Sequence, residues 1–68
     1  MKLLENLQPK YKAAIKDVSD ERNNGDGWWI YLNEPFTNPE MECRIIHEQS
    51  LTHCIKILKN IVNNNLTN

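Results

Sequence analysis

Three things are scarce in this chain: uninterrupted apolar sequence, cysteine, and basic charge around its aromatic residues. The longest apolar run covers only residues 28–32, whereas a membrane-crossing helix needs roughly 20 such residues. A soluble chain with no membrane partner is expected. The opening residues Met1-Lys2-Leu3-Leu4-Glu5-Asn6-Leu7 are interrupted by charge too early for a secretory signal, which points to the cytoplasm. Without an export signal, Cys43 and Cys54 are expected to be reduced and mostly buried rather than paired. No internal repeat is visible. The 68 residues read as one domain, and a chain of this size buries only roughly 60% of its unfolded surface. Such a core leaves about 3 to 5 kcal/mol, so homodimerisation or a bound partner is expected. The ends, about residues 1–6 and 63–68, are expected to fray.

What the chain does have is concentrated in Gly25-Asp26-Gly27-Trp28-Trp29-Ile30-Tyr31-Leu32. A Gly-Asp-Gly turn feeds a run of aromatic, β-branched and aliphatic residues, the composition of a pleated, half-buried strand. Both tryptophans and one of the two tyrosines lie here. Alternation sends Trp28, Ile30 and Leu32 to one face and Trp29 and Tyr31 to the other. If helices cover the first face, Trp29 and Tyr31 are left on the second, near Arg44, Ile46 and Glu48.

The flanking segments supply the covers. Leu3, Leu4 and Leu7 need something to pack on, and Pro9 suits a first helical turn because its missing N–H would be unpaired there. Tyr11, Ala14, Ile15 and Val18 then follow the i, i+3, i+4, i+7 spacing of one helix face, predicting a helix of about 12 residues that ends near Glu21. Residues 22–27 read as a turn. Glu34 to Met41, with Pro35, Asn38 and Pro39, reads as a hairpin loop. Cys43 to His47 is strand-like and pairs most simply antiparallel to residues 28–33. Ser50 is a good N-cap, and Leu51, Cys54, Ile55, Leu58, Ile61 and Val62 recur at three and four, predicting an amphipathic helix. The expected fold is therefore α+β: a small two-layer α-β-β-α domain in which two helices cover an antiparallel hairpin.

Charge is uneven along this order. Residues 1–16 carry Lys2, Lys10, Lys12 and Lys16 against Glu5, a net of +3. Residues 17–48 carry eight carboxylates against Arg22 and Arg44, a net of −6, and residues 49–68 carry Lys56 and Lys59. The aromatic centre is thus acidic. Direct nucleic-acid binding, which needs a basic stripe, is disfavoured there, although lysines of the two helices could form a basic patch elsewhere. A metal site built from Cys43, His47, His53 and Cys54 fails on spacing. Two residues four apart on a strand sit roughly 13 Å apart, neighbours on a helix diverge by about 100°, and zinc sites use close converging pairs. No metal or other cofactor is expected. A Cys-His nucleophile needs an exposed thiol beside an oriented base, but Cys54 falls on the apolar stripe of its helix. No catalytic residues are assigned, and the chain is expected not to be an enzyme.

Protein recognition is the function class that the residues favour. Trp and Tyr are among the side chains that most often dominate binding energy, and a one-signed block steers an oppositely charged partner. The candidate contact residues are Trp29 and Tyr31 as anchors, with Asp26, Glu34, Glu40, Glu42 and Glu48 supplying charge.

Residues 26–62 also carry two resemblances. Asp26-Gly27-Trp28-Trp29-Ile30-Tyr31-Leu32, a loop, then Cys43-Arg44-Ile45-Ile46-His47-Glu48 and an amphipathic helix resemble the hairpin-plus-helix of HicB-type antitoxins. That pattern has a D-G-x-[WY]-x-[VI] strand, a loop ending near Gly-Cys, a short strand and a helix opening with Ser or Thr. This chain departs from it in Glu42, which stands where the glycine would be, in an expected leading helix in place of a first strand, and in the lack of a terminal DNA-binding module. The same stretch resembles small phage and mobile-element proteins of the anti-CRISPR kind. That resemblance implies a non-enzymatic inhibitor that occludes the basic surface of a host nucleic-acid-handling complex, such as a CRISPR effector in a bacterial cytoplasm. The HicB resemblance implies instead an antitoxin-like or regulatory module that neutralises a small toxin.

Overall fold

The computed structural model describes residues 2–66, with side chains for 4–65. Two single helical turns, α1 (Lys2–Glu5) and α2 (Pro9–Lys12), lead into strand β1 (Ile15–Glu21) and a 3-10 turn (Arg22–Asn24). Strands β2 (Gly27–Leu32) and β3 (Ile45–Glu48) follow, then helix α3 (Leu51–Leu66). The three strands form one antiparallel sheet in the order β1-β2-β3. The chain is thus a small α+β fold, with one strand more than the sequence suggested.

The extra strand comes from the region expected to be helical. The helix predicted from Pro9 to near Glu21 stops at Lys12, and residues 15–21 are strand. Between Ile15, opposite Leu32, and Asp17, opposite Tyr31, β1 carries one extra residue, Lys16. Such a bulge puts two residues against one. It keeps Ile15 and Val18 on the same face although they are three apart, which is the spacing of a helix. The apolar positions were therefore read correctly, since Tyr11 and Ala14 are buried and Ile15 and Val18 half-buried, but their period was not. The decisive demand is tertiary. β2 has amide and carbonyl groups on both edges, and a buried central strand must pair both.

The core lies between α3 and one sheet face. Trp28, Ile30 and Leu32 of β2 and Ile46 of β3 point into it and meet Cys54, Ile55, Leu58, Ile61 and Val62 of α3. Ile30, Ile46, Cys54 and Leu58 are fully inaccessible to solvent. Leu7 and Tyr11 close the core from the N-terminal side, and the Tyr11 hydroxyl donates to Asn63 Oδ1 of α3 at 3.3 Å. Leu4 packs on the periphery. The polar side of α3, with Thr52, His53, Lys56, Lys59 and Asn60, faces solvent as its periodicity predicts. Ser50 opens the helix, its carbonyl accepting from Cys54 N at 3.1 Å and its hydroxyl more distantly from His53 N.

At the ends, residues 2–5 form a helical turn and α3 runs to Leu66. Met1, Thr67 and Asn68, expected to fray, lie outside the described residues, as does the Leu3 side chain. Among the described residues, no helix is long and apolar enough to cross a membrane.

The turn into β2 is built on its glycines. Gly25 has φ +80° with open space around it, whereas Gly27 has φ +84° and lies against β3, where an added Cβ would sit 2.5 Å from the Glu48 carbonyl oxygen. The two positions should therefore respond differently to alanine. Gly25→Ala is expected to cost about 1 kcal/mol, the penalty of left-handed backbone. Gly27→Ala adds a backbone clash that only separation of β2 from β3 can relieve, and is expected to cost roughly 3 kcal/mol or more. Urea denaturation of the two variants against the parent measures the difference.

Candidate functional site

The sheet face turned away from α3 carries the side chains that alternation assigns to it. Trp29 and Tyr31 of β2 are both half-buried there. They sit between Asp17, Ser19 and Glu21 of β1 and Ile45 and His47 of β3, because the register opposes Asp17 to Tyr31, Ser19 to Trp29, Trp29 to His47 and Tyr31 to Ile45. The neighbours expected for Trp29 and Tyr31 were one residue out. Ile46 is opposite Ile30 in the core and Glu48 is opposite Trp28, because a one-residue change of register moves every side chain to the other face.

The Trp29–His47 pair is the best-defined feature of this face. Leu32 N donates to Arg44 O at 2.7 Å, and alternation along an antiparallel ladder then makes Trp29 opposite His47 a non-hydrogen-bonded pair, the type that brings side chains closest. The two rings stack with centroids 3.7 Å apart and planes 9° from parallel. His47 Nε2 and Gln49 Nε2 both bond the Asp26 carbonyl oxygen, which fixes the imidazole from its far end. The result is a rigid aromatic surface, and rigid aromatics lose little entropy on binding.

The five candidate carboxylates do not form one patch. Asp26 is exposed ahead of β2. Glu34 lies in the loop after β2, and its carboxylate pairs with Arg44 at 2.9 Å, so its charge is locally offset. Glu48 is half-buried, 3.4 Å from His53 Nδ1 of α3. Glu40 and Glu42 are exposed in the loop that leads to β3. Two other carboxylates, Asp17 and Glu21, are the ones on the open face itself. They were missed because they were read as part of a helix. Nothing in residues 16–21 separates strand from helix, because Val18 is the one apolar residue among them. Glu21 accepts from Ser19 Oγ at 2.8 Å and from Asn24 Nδ2 at 3.0 Å, which holds its carboxylate in place.

The loop between β2 and β3 frames this face. Buried Asn38 organises it: its amide donates to the Ile45 carbonyl at 3.2 Å and its Oδ1 accepts from Glu40 N at 3.1 Å. Glu42 is held at φ +51°, a left-handed conformation that costs a non-glycine residue roughly 1 to 2 kcal/mol. Two concavities result. One, of about 500 Å³, lies beside Tyr31 and Glu42 and is also lined by Lys16 and Arg44. The other, of about 250 Å³, lies between Trp29, Met41 and β3.

No family model, curated protein or solved structure matches this chain.

The residues weighed for metal or thiol chemistry are dispersed. His47 stacks on Trp29, His53 faces Glu48, and both cysteines are free, Cys43 half-buried in the loop and Cys54 fully buried under the sheet. Among the described residues, no three of His, Cys, Asp and Glu are grouped to hold a metal ion. Lys16, expected on the first helix, lies instead in the β1 bulge. Lys10 and Lys59 instead converge on the Tyr11 ring, 4.9 and 5.6 Å from its centre, on the helical side of the molecule.

Two measurements follow from this geometry. Glu42→Gly relieves the left-handed backbone and is expected to stabilise the fold by about 1 kcal/mol in chemical denaturation. Burial pushes the Cys54 thiol above its ordinary value, so a thiol reagent at neutral pH should label Cys43 well before Cys54, with both reacting equally after unfolding. Peptide mapping of the labelled protein reads the order.

Proposed function

We propose that this chain is a non-enzymatic, cytoplasmic binding module that docks on the basic surface of a partner protein through its open sheet face. Its narrower form is that of a phage or mobile-element inhibitor that covers the nucleic-acid-binding surface of a host complex. The observation that carries the reading is that Trp29 and Tyr31 stand side by side on the sheet face opposite α3. Aromatic anchors surrounded by polar residues are the usual form of a binding hot spot. Asp17 and Glu21 on the same face, with Glu40 and Glu42 at its border, supply the negative potential that steers a basic partner. Asp26, Glu34 and Glu48 lie at the ends of the sheet and act on encounter rather than in the docked contact.

A second reading, an antitoxin-like module that neutralises a small toxin, is favoured by two particulars. A strand, β1, precedes Trp28–Leu32, and Glu42 has left-handed backbone at the place where the HicB pattern has glycine.

Affinity purification of the tagged protein from its host lysate separates the readings. Recovery of subunits of a nucleic-acid-handling complex is expected, with affinity falling at high salt. Trp29→Ala and Tyr31→Ala are each expected to weaken binding by roughly tenfold or more. Recovery of one small toxin-like protein would move the assignment to the second reading. Retention of the same partner with unchanged affinity by both variants would overturn the docking face.

A further inference from the structure

The two concavities on the open face differ in charge. The larger, beside Tyr31, carries Lys16 and Arg44. The smaller, beside Trp29, has no lysine or arginine in its lining; Glu40 and Glu48 border it, the Glu48 carboxylate being turned to His53 of α3, and Met41, Ile45 and Trp29 are among its apolar walls. We infer that this smaller cavity is a slot for one arginine side chain of the partner, with its stem along Met41 and Ile45 and its guanidinium stacked at the Trp29–His47 pair within reach of Glu40. This assignment rests on the docking face proposed above.

Size, chemistry and rigidity support it. At about 250 Å³ the cavity falls below the roughly 300 to 1,000 Å³ of small-molecule sites, and suits a single side chain. Apolar walls bordered by the Glu40 carboxylate match a residue with a long hydrocarbon stem and a cationic head. Arginine suits an aromatic wall better than lysine, because its planar guanidinium stacks on rings and is more weakly hydrated. The Trp29–His47 wall is already held in place by the His47 bond to Asp26. Met41 is the opposite, 66% exposed and the only large hydrophobic so exposed among the described residues. An unbranched thioether can close over an inserted stem.

The test is an NMR titration of the full chain with a hexa-arginine peptide, with hexa-citrulline, the neutral isostere, and hexa-lysine as comparisons. Saturable shifts of the Trp29 indole and the Met41 methyl, strongest for arginine, are expected. Trp29→Ala should weaken binding roughly three- to tenfold. Met41→Ala, in an exposed loop where it does not threaten folding, should also weaken it measurably. Equal shifts with hexa-citrulline, or stronger ones with hexa-lysine, would overturn the arginine slot. Shifts confined to Asp17, Glu21 and Tyr31 would overturn the slot while leaving the docking face intact. Absence of shifts anywhere on the sheet would count against both.

Discussion

The structure depends on one strand being satisfied on all its sides. β2 has backbone groups on both edges and large apolar side chains on one face, so it requires a strand to its left, a strand to its right and a helix beneath. β1, β3 and α3 are those three elements, and their order along the chain lets each reach β2 by a short or moderate connection. Trp28, Ile30 and Leu32 carry most of the apolar surface that the sheet contributes to the core. The strict period of the strand then leaves Trp29 and Tyr31 on the other face. The candidate site is thus a by-product of core formation, because it consists of the same strand's alternate residues.

The loop between β2 and β3 adds shape to that face. A direct hairpin would have left a flat sheet, whereas the connection through Asn38 returns alongside β3 and makes a concavity next to Trp29. Holding this loop needs a buried polar side chain with its bonds satisfied, and Asn38 supplies both donor and acceptor. It also needs Glu42 in a conformation that glycine would adopt more readily. That conformation also places Glu42 beside the cavity of Tyr31.

Charge separates along the same architecture. Asp17, Glu21, Glu40 and Glu42 belong to the open face or its border, while Lys10 and Lys59 meet over Tyr11 on the helical side. Surface charges of this kind contribute little to folding. In the docking proposed here their effect is on orientation, since a basic surface is drawn toward the acidic residues of the open face. The separation is not complete: Lys16 and Arg44 line the concavity beside Tyr31, and Arg22, held by two 2.8 Å bonds to Asp20, lies over the Trp28 ring.

Local patterns were legible in the residues alone. The α+β class, the strand around Trp28–Leu32 with its two faces, the strand near Ile45–Glu48, the amphipathic stripe of α3 and the burial of Cys54 all follow from composition and period, because each is determined by residues close in sequence. β1 was not legible. Its bulge at Lys16 gives a strand the apolar spacing of a helix, and only the need to pair the second edge of β2, a demand made by residues 6 to 17 positions away, makes the strand the lower-energy choice. The neighbours of Trp29 and Tyr31 were also beyond reach, since strand register is set across the loop by the packing of Ile30 on Ile46. The sequence alone therefore determined that Trp29 and Tyr31 would share a face. Tertiary pairing decided that Asp17, Glu21 and His47 would share it with them.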